Sequence, residues 1–267
     1  MSLALRLTLL LLLLRPVGSG WLRPSLLSLA VAGLLLPGAL RHPALWLALA
    51  LLAAWRAFSG WPLADNHAYL LAYWCLAVAL ALHAEDPQRA LAWNGRALVG
   101  LAFALATLWK LLSPDYLDGR FFRVALVEDR RLERFATALG GIEPDALRAR
   151  REFLAQHVDA AGRAVDAPAE PPRLRQLARV ATWLTLALEA AVAAAFLAPL
   201  GRRVWLRHAL LLLFCATTYA IAPVESFGWL LLAMGAAQCE PDARRTRAAY
   251  LAVFVMLIFT AGPWRPG

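Results

Sequence analysis

The sequence predicts an all-α integral membrane protein: a polytopic bundle of eight or nine transmembrane helices carrying one extramembrane, amphipathic-helical insertion. Three observations predict it. Hydrophobic residues fill 61% of the 267 positions, charged residues only 17%, and mean hydropathy is +0.58, whereas soluble domains run near roughly 45–50% apolar and about 25% charged. The apolar residues gather in Leu/Ala runs of spanning length. The charges are segregated: residues 113–179 hold 12 Arg and 11 acidic residues, 23 of the 45 charges in the chain, and the other 200 positions are only 11% charged.

A membrane-crossing helix needs about 20 mostly apolar residues, with about 17 as a minimum. In chain order the segments near that length are 24–40, 43–58, 65–83, 95–112, 178–200, 204–222, 224–239 and 245–262. Short joints such as Arg41-His42-Pro43 and Gly201-Arg202-Arg203 separate them. Residues 1–20 leave two readings open. Arg6, the apolar stretch 7–14 and Gly18-Ser19-Gly20 fit a signal peptide, while Arg15 directly after the Leu run fits a short first span. In either case 1–267 reads as a single membrane domain.

Loop arginines give the orientation. With the long 113–179 segment set aside, ten fall on one side, among them Arg41, Arg89, Arg96 and Arg207, and four on the other, Arg15, Arg23, Arg56 and Arg265. The richer side is the cytoplasmic one. The insertion and the C-terminus are then non-cytoplasmic, facing outward from the inner membrane in a bacterial cell. The same distribution excludes a nucleic-acid reading of the net charge of +9, because the polar insertion is close to neutral and the excess Arg lies in short loops. Cys75, Cys215 and Cys239 share no motif spacing, which argues against a disulfide framework or a zinc site.

Within the insertion, Leu132, Phe135, Ala136 and Leu139 fall at i, i+3, i+4 and i+7, and Gly140-Gly141 supplies a stop. Leu147, Leu154 and Val158 form a second, weaker stripe beginning near Pro144, and residues 166–172 read as a linker. Neither helix could bury a core alone, so both are expected on the membrane surface or as a cap on the bundle.

Ionisable groups inside apolar segments are functional candidates, and four stand out: His67, Lys110, Glu189 and Glu225. Of the 27 basic residues 26 are Arg, and Lys110 is the single Lys. Arg stays protonated at any working pH, whereas a lysine can give up its proton and serve as a base. The alternative is a lysine snorkelling at a helix end, and the helix C-terminus, which favours an ammonium, supports it. His67 opens its span behind Asp65, which is placed to cap it. The positive end of the helix dipole disfavours an imidazolium there, so a neutral ring that orients a substrate oxygen is one reading. An interfacial aromatic belt with Tyr69 and Trp74 is the other. The spans 65–83 and 95–112 read as an antiparallel pair, which brings His67 and Lys110 to one side of the membrane. Parity brings Glu225 to the same side. Glu189, near the middle of its span, reads as a proton relay, an ion site or a protonated acid bonded to Thr182 or Thr185, with the last favoured.

The stretch Asp65-Asn66-His67-Ala68-Tyr69-Leu70-Leu71, then Trp93-Asn94, Lys110-Leu111 and Asp115-Tyr116-Leu117-Asp118-Gly119, resembles the membrane domain of the vitamin K-dependent gamma-glutamyl carboxylases. In bacteria that domain also occurs alone as the horizontally transferred transmembrane (HTTM) domain. Ser226-Phe227-Gly228 fits the pattern loosely, and the likeness covers residues 60–120. It implies a quinol-type, lipid-soluble substrate, with Lys110 as the base and His67 and Asn66 lining the same site; Tyr69 and Glu225 join them as candidate binding residues. The carboxylases carry a large lumenal C-terminal region with no counterpart in these 267 residues, which turns the expectation from peptide carboxylation to chemistry on the quinol itself. Two other readings stand beside this one: a transporter with Glu189 as the coupling site, and a non-catalytic membrane scaffold whose insertion binds a partner.

Overall fold

The computed structural model describes residues 1–156, 171–199, 201–221, 224–240 and 242–261. Among these there are thirteen α-helices and no strand, so the all-α class follows the hydropathy pattern. The chain divides into two compact units, Met1–Phe103 with Ala191–Gly267, and Ala104–Ala190.

The first unit contains α1 (Ser2–Leu14), α2 (Leu22–Leu35), α3 (Pro43–Ser59), α4 (Asn66–Ala81) and the first part of α5 (Pro87–Leu112). It also holds the end of α10 (Pro172–Leu197), then α11 (Val204–Ile221), α12 (Glu225–Ala237) and α13 (Arg244–Ala261). Helix α12 is central: it packs against α1, α4, α11 and α13, and every residue from Trp229 to Ala237 is buried. Helix α1 is also largely buried, through Leu5, Leu7, Leu9, Leu11 and Leu12, and lies along α12 and α2. A helix apolar on all sides belongs in a core or a membrane, and these two form the core of this unit. Several buried polar groups of this unit are paired, as the low dielectric favours. Trp74 Nε1 donates to Thr8 Oγ1 at 2.9 Å, and Thr8 donates to Ala4 O at 2.9 Å. Trp229 Nε1 donates to Phe254 O at 3.1 Å.

The outward faces are apolar as well. Leu47, Leu51, Trp55 and Phe58 on α3, Leu101, Leu105, Leu108 and Leu112 on α5, and Leu251, Val255 and Phe259 on α13 are all exposed. Their spacing of three and four residues makes each set a continuous stripe. The outward stripe of a water-facing helix is polar instead.

Each of the eight apolar segments forms a helix, but the boundaries differ. Helix α5 starts at Pro87, eight residues before the apolar stretch, because Asp86 Oδ1 accepts from Arg89 N at 3.0 Å and Pro87 takes the first helical position. Helix α10 starts at Pro172 rather than at 178. Both have 26 residues and are the two described helices long and apolar enough to cross a membrane; at 1.5 Å per residue each rises about 39 Å. Helices α1 and α12, with 13 residues each, rise only about 20 Å. Two arginines counted above as loop charges have a structural role. Arg96 donates to the carbonyls of Phe196, Leu197 and Ala198 at 2.6, 3.1 and 3.0 Å, and Arg207 Nε donates to Ala195 O at 3.1 Å. Together they satisfy the carbonyls that the end of α10 leaves without intrahelical partners.

The second unit holds the last turns of α5, then α6 (Pro114–Leu117), α7 (Arg120–Glu128), α8 (Glu133–Gly140), α9 (Pro144–Gln156) and α10 up to Ala190. The two amphipathic helices of the insertion are α8 and α9, and Gly141 ends α8 with φ +64°. They do not stand alone. The unforeseen α7 packs against both, and Leu126, Val127, Leu132, Ala136, Ile142 and Leu147 bury a small core with Leu174 and Ala178 of α10. Arg151 fastens it, donating to Val127 O at 2.8 Å and to Glu133 Oε2 at 3.1 Å. Leu139, counted in the apolar stripe, is exposed, and Val158 and most of the 166–172 linker lie outside the described residues.

Candidate functional site

The site is built on a chain break two residues after Lys110. Pro114 cannot continue α5, and the residue before a proline is driven out of the helical region; Ser113 accordingly sits at φ −98°, ψ 107°. The chain turns through the single turn of α6, and Tyr116 comes back over the lysine, with Nζ 5.3 Å from the ring centroid. Gly119 then takes φ +81°, and Asp118 Oδ1 accepts from Arg120 N at 2.7 Å to start α7. Helix α7 brings Phe121 and Phe122 to 5.4 and 5.9 Å from the Tyr116 ring.

Helix α10 supplies the partner. Lys110 Nζ donates to Glu189 Oε1, so the two residues that the sequence assigned to rival functions form one ion pair. Glu189 is only 7% exposed, and its Oε2 has no hydrogen-bond partner among the described residues. The expected bond from Glu189 to Thr182 is not made, because the Thr182 hydroxyl turns back onto Ala178 O at 2.9 Å. Thr185 faces Tyr116 instead, and the Tyr116 phenol is raised above its usual range by burial and by the nearby Glu189 carboxylate, partly offset by Thr185. Tyr116 is therefore a neutral phenol at neutral pH.

Lys110 and Tyr116 line a cleft of about 750 Å³. Its lining mixes apolar side chains, Trp109, Phe121, Val124 and Ala125, with the charged Asp115, Arg120, Glu128 and Asp129. Arg120 Nη1 lies 3.1 Å from Asp115 Oδ1. The lysine amine has three N–H donors, of which Glu189 takes one, so it keeps capacity for a group held in the cleft. An amphiphile with a hydrogen-bonding head matches this mixed lining. Among the described residues no cluster of three or more His, Cys, Asp and Glu could hold a metal ion.

The other predicted site residues belong to the first unit. Asp65 occupies the N-cap place of α4 but makes no side-chain cap bond; its Oδ2 lies 3.9 Å from His67 Nε2. His67 is half-buried, 6.4 Å from the Phe227 ring, in a cavity of about 50 Å³ shared with Arg56, Ser226 and Leu230. Asn66 is exposed. Tyr69 donates to Ala57 O at 3.5 Å, tying α4 to α3. Glu225 opens α12, and its side chain lies outside the described residues. Sequence reasoning passed over Tyr116 and Arg120 as site residues; the Ser113-Pro114 break directly after Lys110 was the available signal. Comparison of the chain with protein-family models, with curated proteins and with solved structures gives no match.

Proposed function

We propose that the chain is a polytopic membrane protein that uses the Lys110 cleft for proton chemistry on a lipid-soluble, quinol-type substrate. The observation that carries this reading is the position of the only lysine: it lines a cleft of mixed apolar and charged lining while its amine is bonded to a buried carboxylate. A quinol matches that lining, with an apolar ring and tail and a hydroxyl head. The apolar outward stripes on α3, α5 and α13 support a lipid surrounding for more helices than the two of full spanning length. The likeness of residues 60–120 to the HTTM and carboxylase membrane domains supports the substrate class. In the reaction the substrate hydroxyl gives its proton to Lys110 Nζ. His67 and Asn66 are a separate element of the proposal, tested by their own variants.

The experiment is quinol-dependent oxygen uptake by the detergent-purified protein. Wild type is expected to show uptake, and Lys110→Arg to be as inactive as Lys110→Ala, because Arg cannot act as a base. Uptake that survives in Lys110→Arg would reduce the lysine to a positive charge. The transporter reading keeps one supporting observation, the burial of Glu189 in a helix of full spanning length. Because Glu189 is bonded to Lys110, either single truncation disturbs both readings. Proton-coupled flux into vesicles that persists in Lys110→Arg and is lost in Glu189→Gln would favour transport.

A further inference from the structure

We propose that Glu189 is the proton partner that decides whether Lys110 acts as a base, so that the pair, and not the lysine alone, is the proton-active unit of the cleft. The inference rests on the reading of the cleft as a proton-active site, but it does not require the substrate to be a quinol. An ammonium has no free lone pair, and Lys110 Nζ, as the cation of the ion pair, donates to Glu189 Oε1. The groups facing the amine are that carboxylate from α10 and the Tyr116 ring from α6. Asp115 and Arg120, in the same cleft, are paired with each other. Among the described residues, the group in contact with the amine that can take its proton is Glu189.

The step balances without a further reactant. The proton moves from Nζ to Oε1, leaving a neutral amine and a neutral carboxyl. The freed lone pair then accepts the proton of a hydroxyl in the cleft, giving an ammonium beside an oxyanion. Glu189 holds the first proton until the product has left and the ammonium has released the substrate's proton to solvent. The neutral amine then takes the first proton back and the ion pair is restored. The second oxygen of Glu189, buried and unpartnered among the described residues, gives the carboxyl a site for that proton away from the amine. Glu189 is thus a positioning residue that acts on the reaction through Lys110.

The single lysine makes this testable without an activity assay. Reductive methylation of the purified full chain with formaldehyde and dimethylamine borane reports, by peptide mass spectrometry, on Lys110 separately from the Met1 amine. Glu189→Gln is expected to speed methylation of Lys110 by about tenfold or more, since it removes the charged acceptor from a buried pair. Glu189→Asp keeps the charge but withdraws it by one methylene; it gives a smaller rise and serves where Glu189→Gln does not fold. Thr182→Val, which leaves the ion pair in place, leaves the rate unchanged. An unchanged rate in a folded Glu189 variant overturns the proposal. Gated methylation without quinol-dependent oxygen uptake would remove the quinol and keep the pair; uptake with ungated methylation would do the reverse.

Discussion

Lys110 and His67 both sit close to an end of an apolar helix, and by sequence they carry comparable claims to chemistry, yet their surroundings differ. The lysine contacts a buried carboxylate and an aromatic ring at the wall of a cleft of about 750 Å³. The histidine faces an exposed aspartate across 3.9 Å in a cavity of about 50 Å³, room for little more than a water or two. Depth in a membrane does not separate these cases. What separates them is whether a second titratable group is bonded to the first and whether an adjacent space can admit a substrate.

The contrast is broken most forcefully at the ion pair. Glu189→Leu leaves a half-buried cation without its partner, and the expected cost is about 1.5–3 kcal/mol in detergent unfolding. The double variant Lys110→Met/Glu189→Leu removes both charges and should recover most of that loss. If the double variant is as unstable as the single, the pair is held by something other than charge balance. One step smaller is Tyr116→Leu, which keeps the apolar volume but removes the ring over the ammonium. It should cost about 1–2 kcal/mol, read from the same unfolding curves. His67→Ala is expected to change stability by less than about 1 kcal/mol and to leave Lys110 methylation unaltered. A large change in that rate would tie the histidine to the cleft after all.

Much of the fold was legible because a period and a composition suffice for it. The eight apolar segments are helices, and Leu132, Phe135, Ala136 and Gly141 locate α8. The helix starts were less legible where a polar first turn precedes the apolar stretch, as at Asp86-Pro87, since a hydropathy window registers only the apolar part. Helix α7 was missed although its apolar residues favour one side of a helix, because it has only nine residues and follows directly on the turn at Gly119. The pairing of Lys110 with Glu189 was not legible at all. Seventy-nine residues separate them, and each looked like an isolated charge whose neighbour only packing could reveal. The turn between Lys110 and Tyr116 was written in Ser113-Pro114 and Gly119, whose consequence is local.

That turn gives a sharper test of how the cleft is shaped. Gly119 sits at φ +81°, and a Cβ added there would meet Arg179 Cγ and Thr182 Oγ1 at 3.7 Å, ordinary contact distance. Gly119→Ala is therefore penalised by backbone conformation and not by crowding, at about 1–2 kcal/mol. Gly119→Asn, which tolerates the left-handed region better, should cost less. Equal losses for the two would show that space, not φ, sets the requirement.

The smallest effect lies at the far edge of the cleft and depends on pH. Asp129 accepts from the backbone N–H of Arg131 at 2.9 Å and from its guanidinium at 2.6 Å. The Arg131 bonds hold the Asp129 carboxyl below the usual carboxylate range, against the opposing effect of burial. A carboxyl whose folded value is depressed contributes stability that is fully present above its unfolded value, near about 3.9. That contribution is lost as pH falls through the lower folded value. Asp129→Asn removes the charge but keeps an acceptor for the backbone N–H, so it should cost about 1 kcal/mol or less at pH 7. Melting curves of wild type and variant should converge as pH is lowered below 4, because the wild-type carboxyl is then protonating while the amide is indifferent. A gap that stays constant down to pH 2 would mean that Asp129 acts through shape and not charge, and the cleft lining would lose one of its charged members as an electrostatic element.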